Sequence, residues 1–244
     1  MSKMNIETAS ILAAKFRQSF SLSATEPLSM KTLVRMSSIL MMYRPLEDAL
    51  YGMSMKTADS SSKFILLNSN STVGRQNFTI AHELYHLYFE EHPQPHFCRH
   101  GFLNDSERAA NMFAGALLMP KEGLLQFVDN KELVKSSLSL STILNLEQIF
   151  GVSHSMLLIR LKELKLIGEN DFNNFNMLHV KKEAAMRGLD LSIYNRGNEG
   201  LIISDFGQKA RQLYESERIS EGHYMELLNM IGYGGEETEN SSGC

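Results

Sequence analysis

The chain has 244 residues, 43% of them hydrophobic, enough for one sizeable core and a small second unit. A net charge of −4 supplies no global attraction to nucleic acid or an anionic membrane, and two cysteines, Cys98 and Cys244, exclude a disulfide framework and fit a reducing cytosol. No apolar run approaches the roughly 18 residues of a membrane span, and residues 1–25 lack a signal-peptide apolar block, so a cytoplasmic protein is expected.

The first element, about Glu7–Phe20, reads as an amphipathic helix with apolar Ile11, Leu12, Ala14 and Phe16. A turn over Ser21–Pro27 leads to a second helix near Ser29–Leu40. Two strand-like runs follow, Leu50–Lys56 and Lys63–Asn68, and the turn formers Asp59-Ser60-Ser61-Ser62 between them predict a hairpin. An edge of such a sheet can hold an extended peptide by strand addition. From about Arg75 to Glu90 the pattern is helical again, with Phe78, Ile80, Ala81, Leu84, Leu87 and Tyr88 near helical spacing.

Pro93 and Pro95 then mark a loop carrying His96, Cys98 and His100. A further helix opens at Asn104, Asp105 or Ser106 as N-cap and stops at Pro120, and a short one follows over Lys121–Val128. From Leu138 the pattern is helical only. Ser141–Phe150, a Gly151-Val152-Ser153 turn and His154–Leu166 have the cadence of a helix-turn-helix, with Val152, Leu157 and Leu161 around the turn. Over residues 136–168 three basic residues (Arg160, Lys162, Lys165) face two acidic ones (Glu147, Glu163). Phosphate binding asks for a denser basic face, so nucleic acid is not expected as a partner and packing against the rest of the protein is. Asn170–Asn176 reads as a loop, Phe206–Ser216 and Ser220–Ile231 as a final helical pair, and the acidic, Gly/Ser-rich 234–244 as a disordered tail. The expected class is α+β, with units at 1–135, 136–168 (helix-turn-helix-like), 169–233 (helical) and 234–244 (tail).

His82-Glu83-Leu84-Tyr85-His86 is an HExxH motif inside the third helical stretch. Residues four apart share a helix face, about 6 Å apart along the axis, so two imidazoles can grip one Zn²⁺ at roughly 2.0–2.1 Å each. Glu83 lies about 100° round the helix, beside the ion, where its carboxylate can take a proton from the attacking water. The bland reading is a pair of surface histidines that bind nothing, or a hydrogen-bonded core histidine.

A catalytic zinc takes three protein ligands and leaves a position to water. His92 stands where the metzincin pattern HExxHxxGxxH puts its third histidine, but Phe89 replaces the glycine and the helix is expected to continue through Glu90 and Glu91. His96, Cys98 and His100 lack a partner CxxC, and read as a weak metal cluster or the lining of a substrate entrance. Glu107 lies 21 residues after His86, near the start of its own helix. On spacing alone a third ligand and a first-turn glutamate favouring the helix dipole explain it equally well.

The run Phe78 to His86, followed by Glu107-x-x-Ala110-Asn111-x-Phe113-Ala114-x-x-Leu117-Leu118-Met119-Pro120, resembles the ImmA/IrrE family of metallo-endopeptidases over about residues 63–120. The resemblance implies a zincin-like fold, with a small sheet above the site-bearing helix, zinc on His82, His86 and Glu107, and Glu83 as general base. Tyr85 stands where family members often carry Gly. Asn111 matches a family position for which helix packing or a hydrogen bond behind the ligands is expected.

These readings converge on a cytoplasmic zinc endopeptidase. Tyr85, His96 and His100 are unranked candidates for a second oxyanion donor or for the cleft wall. By resemblance the substrate is a regulatory protein, typically a helix-turn-helix repressor encoded nearby. The competing reading is a non-proteolytic binding module, a toxin-neutralising partner or transcriptional regulator, that keeps a metal site for structure or sensing.

Overall fold

The computed structural model describes residues 4–91, 95–99, 101, 104–135 and 137–230. Helix α1 (Ile6–Ser19) starts where the Asn5 side chain accepts the Thr8 N–H at 2.8 Å. It buries Ala9, Ala13, Phe16 and Arg17, whereas Ile11, expected on the apolar face, is 53% exposed. Helix α2 (Met30–Met36) is capped by Ser29 and stops earlier than Leu40, because Ser37 closes the last turn and Ser38 is left-handed at φ 52. Beyond it Ile39, Met41 and Tyr43 are fully buried at a two-residue period, forming β1 (Ile39–Arg44), a strand absent from the periodicity reading.

β2 (Leu50–Lys56) and β3 (Lys63–Asn68) form the expected antiparallel hairpin, closed by an Asx-type turn in which Asp59 accepts from Ser61 N–H at 3.0 Å. β1 pairs parallel to β3 on its other side. Helix α3 (Val73–Phe89) packs against β2 and β3 of this sheet and carries HExxH. The segment expected to be a loop holds β4 (His96–Arg99), antiparallel to β2 with Ser54 opposite His96. α4 (Asp105–Leu118) is capped by Asn104, one of the three expected candidates, whose side chain accepts the Glu107 N–H at 2.8 Å.

After α4 come α5 (Lys121–Leu125), α6 (Asn130–Lys135), α7 (Leu140–Phe150) and α8 (His154–Glu163). The α7–α8 turn uses Gly151 at φ 62, and Val152, Leu157 and Leu161 are fully buried, as their spacing suggested. Asn170–Asn176 is helical, not a loop: it belongs to α9 (Glu169–Asn176). α10 (Val180–Met186) precedes β5 (Ile202–Ile203), and α11 (Phe206–Glu215) and α12 (Glu221–Met230) follow. β5 interrupts the helix-only expectation by pairing antiparallel with β1, giving a five-stranded sheet ordered β4-β2-β3-β1-β5. The fold is thus α+β, a small mixed sheet and a zincin-like helix followed by a mainly helical C-terminal half. The 234–244 tail and Cys244 lie outside the described residues.

Two features hold the site-bearing helices. A Cβ on Gly74, in the first turn of α3, would lie 2.8 Å from Ser153 N and Val152 C, so only glycine lets α3 touch the α7–α8 turn. Asn77 Nδ2 reinforces the contact by donating to Gly151 O at 2.8 Å. At the far end of α4, Arg17 donates twice to Leu117 O (3.0 and 2.6 Å) and Arg160 Nε to Met119 O (3.2 Å). Two buried guanidinium groups therefore meet carbonyls at the negative end of the helix, and burial pulls the Arg17 pKa down to about 10. From the C-terminal half, Asn195 O accepts the Val73 N–H (2.9 Å) and Gly197 O accepts from Gln76 Nε2 (2.9 Å), tying the start of α3 to the segment that precedes β5. One contiguous apolar core runs from Ala13 to Ile167 and includes residues of both α3 and α8.

Candidate metal centre

HExxH places His82 and His86 on one buried face of α3, with their Nε2 atoms 3.1 Å apart. From the first turn of α4, Glu107 Oε2 lies 3.3 Å from His82 Nε2 and Oε1 lies 3.7 Å from His86 Nε2. His96 enters from β4: its Nε2 is 2.6 Å from Glu107 Oε1 and its ring stacks on His86 with centroids 3.5 Å apart. One donor atom from each of His82, His86, His96 and Glu107 falls within 4.8 Å of all the others. His82, Glu83 and Cys98 form a second, overlapping group of the same tightness.

The outer nitrogens explain why the inner ones converge. His82 Nδ1 lies 2.9 Å from Asn111 Oδ1, and His86 Nδ1 lies 2.8 Å from Glu90 Oε2. Both partners are acceptors, so each Nδ1 donates outward and each Nε2 faces inward. Two lone pairs facing one another at 3.1 Å repel unless a proton or a cation lies between them. The electrostatics agree. Burial alone would depress the His82 pKa, but its hydrogen bonds to Cys98 and Glu107 and the nearby Glu83 carboxylate outweigh it and hold it well above 6.5. His96 behaves the same way: burial is overcome by Glu107 and Glu83, and its pKa rises to about 9. Burial would raise Glu107, yet its bonds to His82 and His96 hold it far below the usual carboxylate range. The chamber is built to hold positive charge.

Glu83 sits beside this group and is fully buried. Its Oε2 accepts from Ser54 Oγ and from His96 Nδ1 (3.0 Å), while Oε1 is buried with no hydrogen-bond partner among the described residues. A buried carboxylate oxygen without a partner is costly, and it marks where a water molecule or substrate group fits. Nitrogen and oxygen donors with an adjacent free carboxylate suit a borderline divalent ion such as zinc, so these residues fit the metal that an HExxH fold implies.

Of the candidate cleft residues, His96 is inside the cluster. Tyr85 is brought beside His86 (5.7 Å between ring centroids) as part of an aromatic group with Phe89 and Phe113. His92 and His100 lie outside the described residues. The helix does not run on through Glu90 and Glu91 as expected: α3 ends at Phe89 and Glu90 is extended. Lys56 Nζ ends it by donating to Leu87 O (3.0 Å) and Glu90 O, satisfying carbonyls the helix leaves open. Ser54 and Glu90 carried no signal in the sequence, since Ser54 acts across 29 residues and Glu90 through the end of α3.

A helix bearing HExxH beneath a small sheet, with a buried His/Glu cluster, is the layout of a metallopeptidase. A family profile described as the IrrE N-terminal-like domain, of the M78 peptidases, matches residues 37–162, more than half of the chain, and the chain belongs to this metallopeptidase family. No curated protein matches the chain significantly.

Proposed function

We propose that the protein is a cytoplasmic zinc endopeptidase in which His82, His86 and Glu107 hold the ion and Glu83 is the general base. The convergence of two Nε2 lone pairs and a buried carboxylate on one point carries this reading. Bound there, zinc would polarise the scissile carbonyl and bring the attacking water's pKa towards about 7. Glu83 Oε1, buried and unpartnered among the described residues, accepts the water's proton and later passes it to the leaving amine. Ser54 holds the other oxygen, Oε2, and so aims Oε1 at the substrate. Asn111 and Glu90 fix the imidazole tautomers. The family resemblance suggests the substrate: a regulatory protein, typically a helix-turn-helix repressor encoded nearby.

The α7–α8 pair is proposed as a support for α3, not a nucleic-acid reader. Along α8, Arg160 is buried and Ile159 and Lys162 are exposed, which leaves no basic face for phosphates. No helix among the described residues is long and apolar enough to cross a membrane.

The test compares zinc-loaded wild type and Glu83→Gln, each incubated with the regulator encoded beside its gene. Wild type is expected to cut it, and the variant to keep its zinc while losing roughly 10²–10⁴-fold in rate. Equal cleavage by the two proteins would overturn the mechanism. A stable uncut complex with both would favour the binding module.

A further inference from the structure

We propose that His96 is a fourth protein ligand, so that the resting metal site is closed by three histidines and Glu107 and opens only when β4 withdraws. This rests on the reading of the metal site given above, and adds to it a donor that neither the HExxH motif nor the second-helix motif contains.

Three observations carry it. First, His96 Nε2 joins the same cluster of inward-facing atoms as His82 Nε2, His86 Nε2 and the Glu107 carboxylate. Second, its outer nitrogen is arranged as theirs are: Nδ1 lies 3.0 Å from Glu83 Oε2, as His82 Nδ1 meets Asn111 and His86 Nδ1 meets Glu90. A ligating histidine nearly always donates its far N–H to such an acceptor, which fixes the tautomer and turns the other nitrogen to the ion. Third, its ring stacks on His86 at 3.5 Å, which orients both planes towards one centre.

A tetrahedral ion held by four protein donors has no place for the attacking water, whereas catalytic zinc keeps one position open. The same contact engages Glu83, because His96 Nδ1 and Ser54 Oγ share its Oε2. His96 is also the least enclosed of the four. Its side chain is 21% exposed against 2%, 3% and 5% for His82, His86 and Glu107. It rides on a four-residue edge strand that pairs, among the described residues, with β2 alone, across a register shift at Leu50/Gly52. Short edge strands sit at the low-stability end of a fold.

The experiment uses the full chain loaded with zinc alone. X-ray absorption at the zinc edge counts the imidazoles bound in wild type, His96→Ala, His96→Gln and His82→Ala, and competition with a chelator gives the affinity. The expected result is three imidazoles in wild type, two in each His96 variant, and at least about a tenfold loss of zinc affinity in those variants, the lower range for disturbing a metal shell. Two imidazoles in wild type, a count that depends on no variant folding, would overturn the proposal. So would unchanged affinity in both His96 variants. Failure of the underlying site reading looks different: His82→Ala would then bind zinc as tightly as wild type.

Discussion

Two buried clusters in this protein are made from the same side chains and come to opposite ends. Around α3, His82, His86 and His96 turn their inner nitrogens towards each other and Glu107, leaving Glu83 Oε1 without a partner among the described residues. At the α7–α8 turn, His154 Nδ1 meets Glu147 Oε1, His154 Nε2 meets Phe175 O at 2.9 Å, and Tyr194 donates to Glu147 Oε2 at 2.6 Å. In the second cluster every polar atom points at a different partner and each is satisfied. That is a structural clasp joining α7, α8, α9 and the turn at Ser192–Tyr194. In the first, several donor atoms aim at one point. Burial and a histidine–glutamate pairing are common to both, so convergence is what separates a candidate metal site from a clasp.

Substitutions that attack one cluster and spare the other sharpen this contrast. The largest effect is expected from Glu147→Ala, which strands His154 Nδ1 and Tyr194 OH in the interior. Removing one partner of a buried pair of this kind costs about 3 kcal/mol or more, so denaturant unfolding should show that loss while zinc stoichiometry stays at the wild-type value. Loss of zinc at full stability would erase the distinction. Next comes Asn111→Ala, which frees the His82 ring. It should weaken zinc binding roughly 10–100-fold with little change in unfolding midpoint, as chelator competition would register. An unchanged affinity would mean that Asn111 only packs α3 against α4.

The smallest effect is a pH dependence. Burial pulls the His154 pKa down, but the hydrogen bond and charge of Glu147, with the Phe175 carbonyl, more than offset it and raise it above 6.5. A histidine whose folded pKa is raised contributes stability that is complete below its unfolded value and fades as pH climbs through the folded one. Metal-free protein should therefore lose stability above about pH 6.5, the ordinary histidine value, and His154→Gln should flatten that part of the curve. Parallel curves for the two proteins would remove His154 from the account.

What the sequence could reveal follows the range of the interactions. HExxH, the Asn104 cap and the Glu107–Asn111 spacing are local patterns on single helices, so their placement on α3 and α4 was readable. The α7–α8 turn was readable too, because Gly151 and the apolar residues round it are contiguous. β1 was not, since its alternation begins three residues after a helix and its partners, β3 and β5, are distant in sequence. β4 was hidden by the prolines before it and by having only four residues, and with it went the position of His96. The end of α3 at Phe89 was hidden for a similar reason: the lysine that meets its last carbonyls is Lys56, on β2. Side chains that reach across the fold leave no periodic trace.

The most direct test of the convergent site is the zinc affinity of purified Glu107→Ala beside wild type, measured by chelator competition with folding confirmed by circular dichroism. A site that includes the α4 carboxylate predicts one zinc ion per wild-type chain and an affinity at least about tenfold weaker in the variant. A folded Glu107→Ala that binds zinc as tightly as wild type would contradict it.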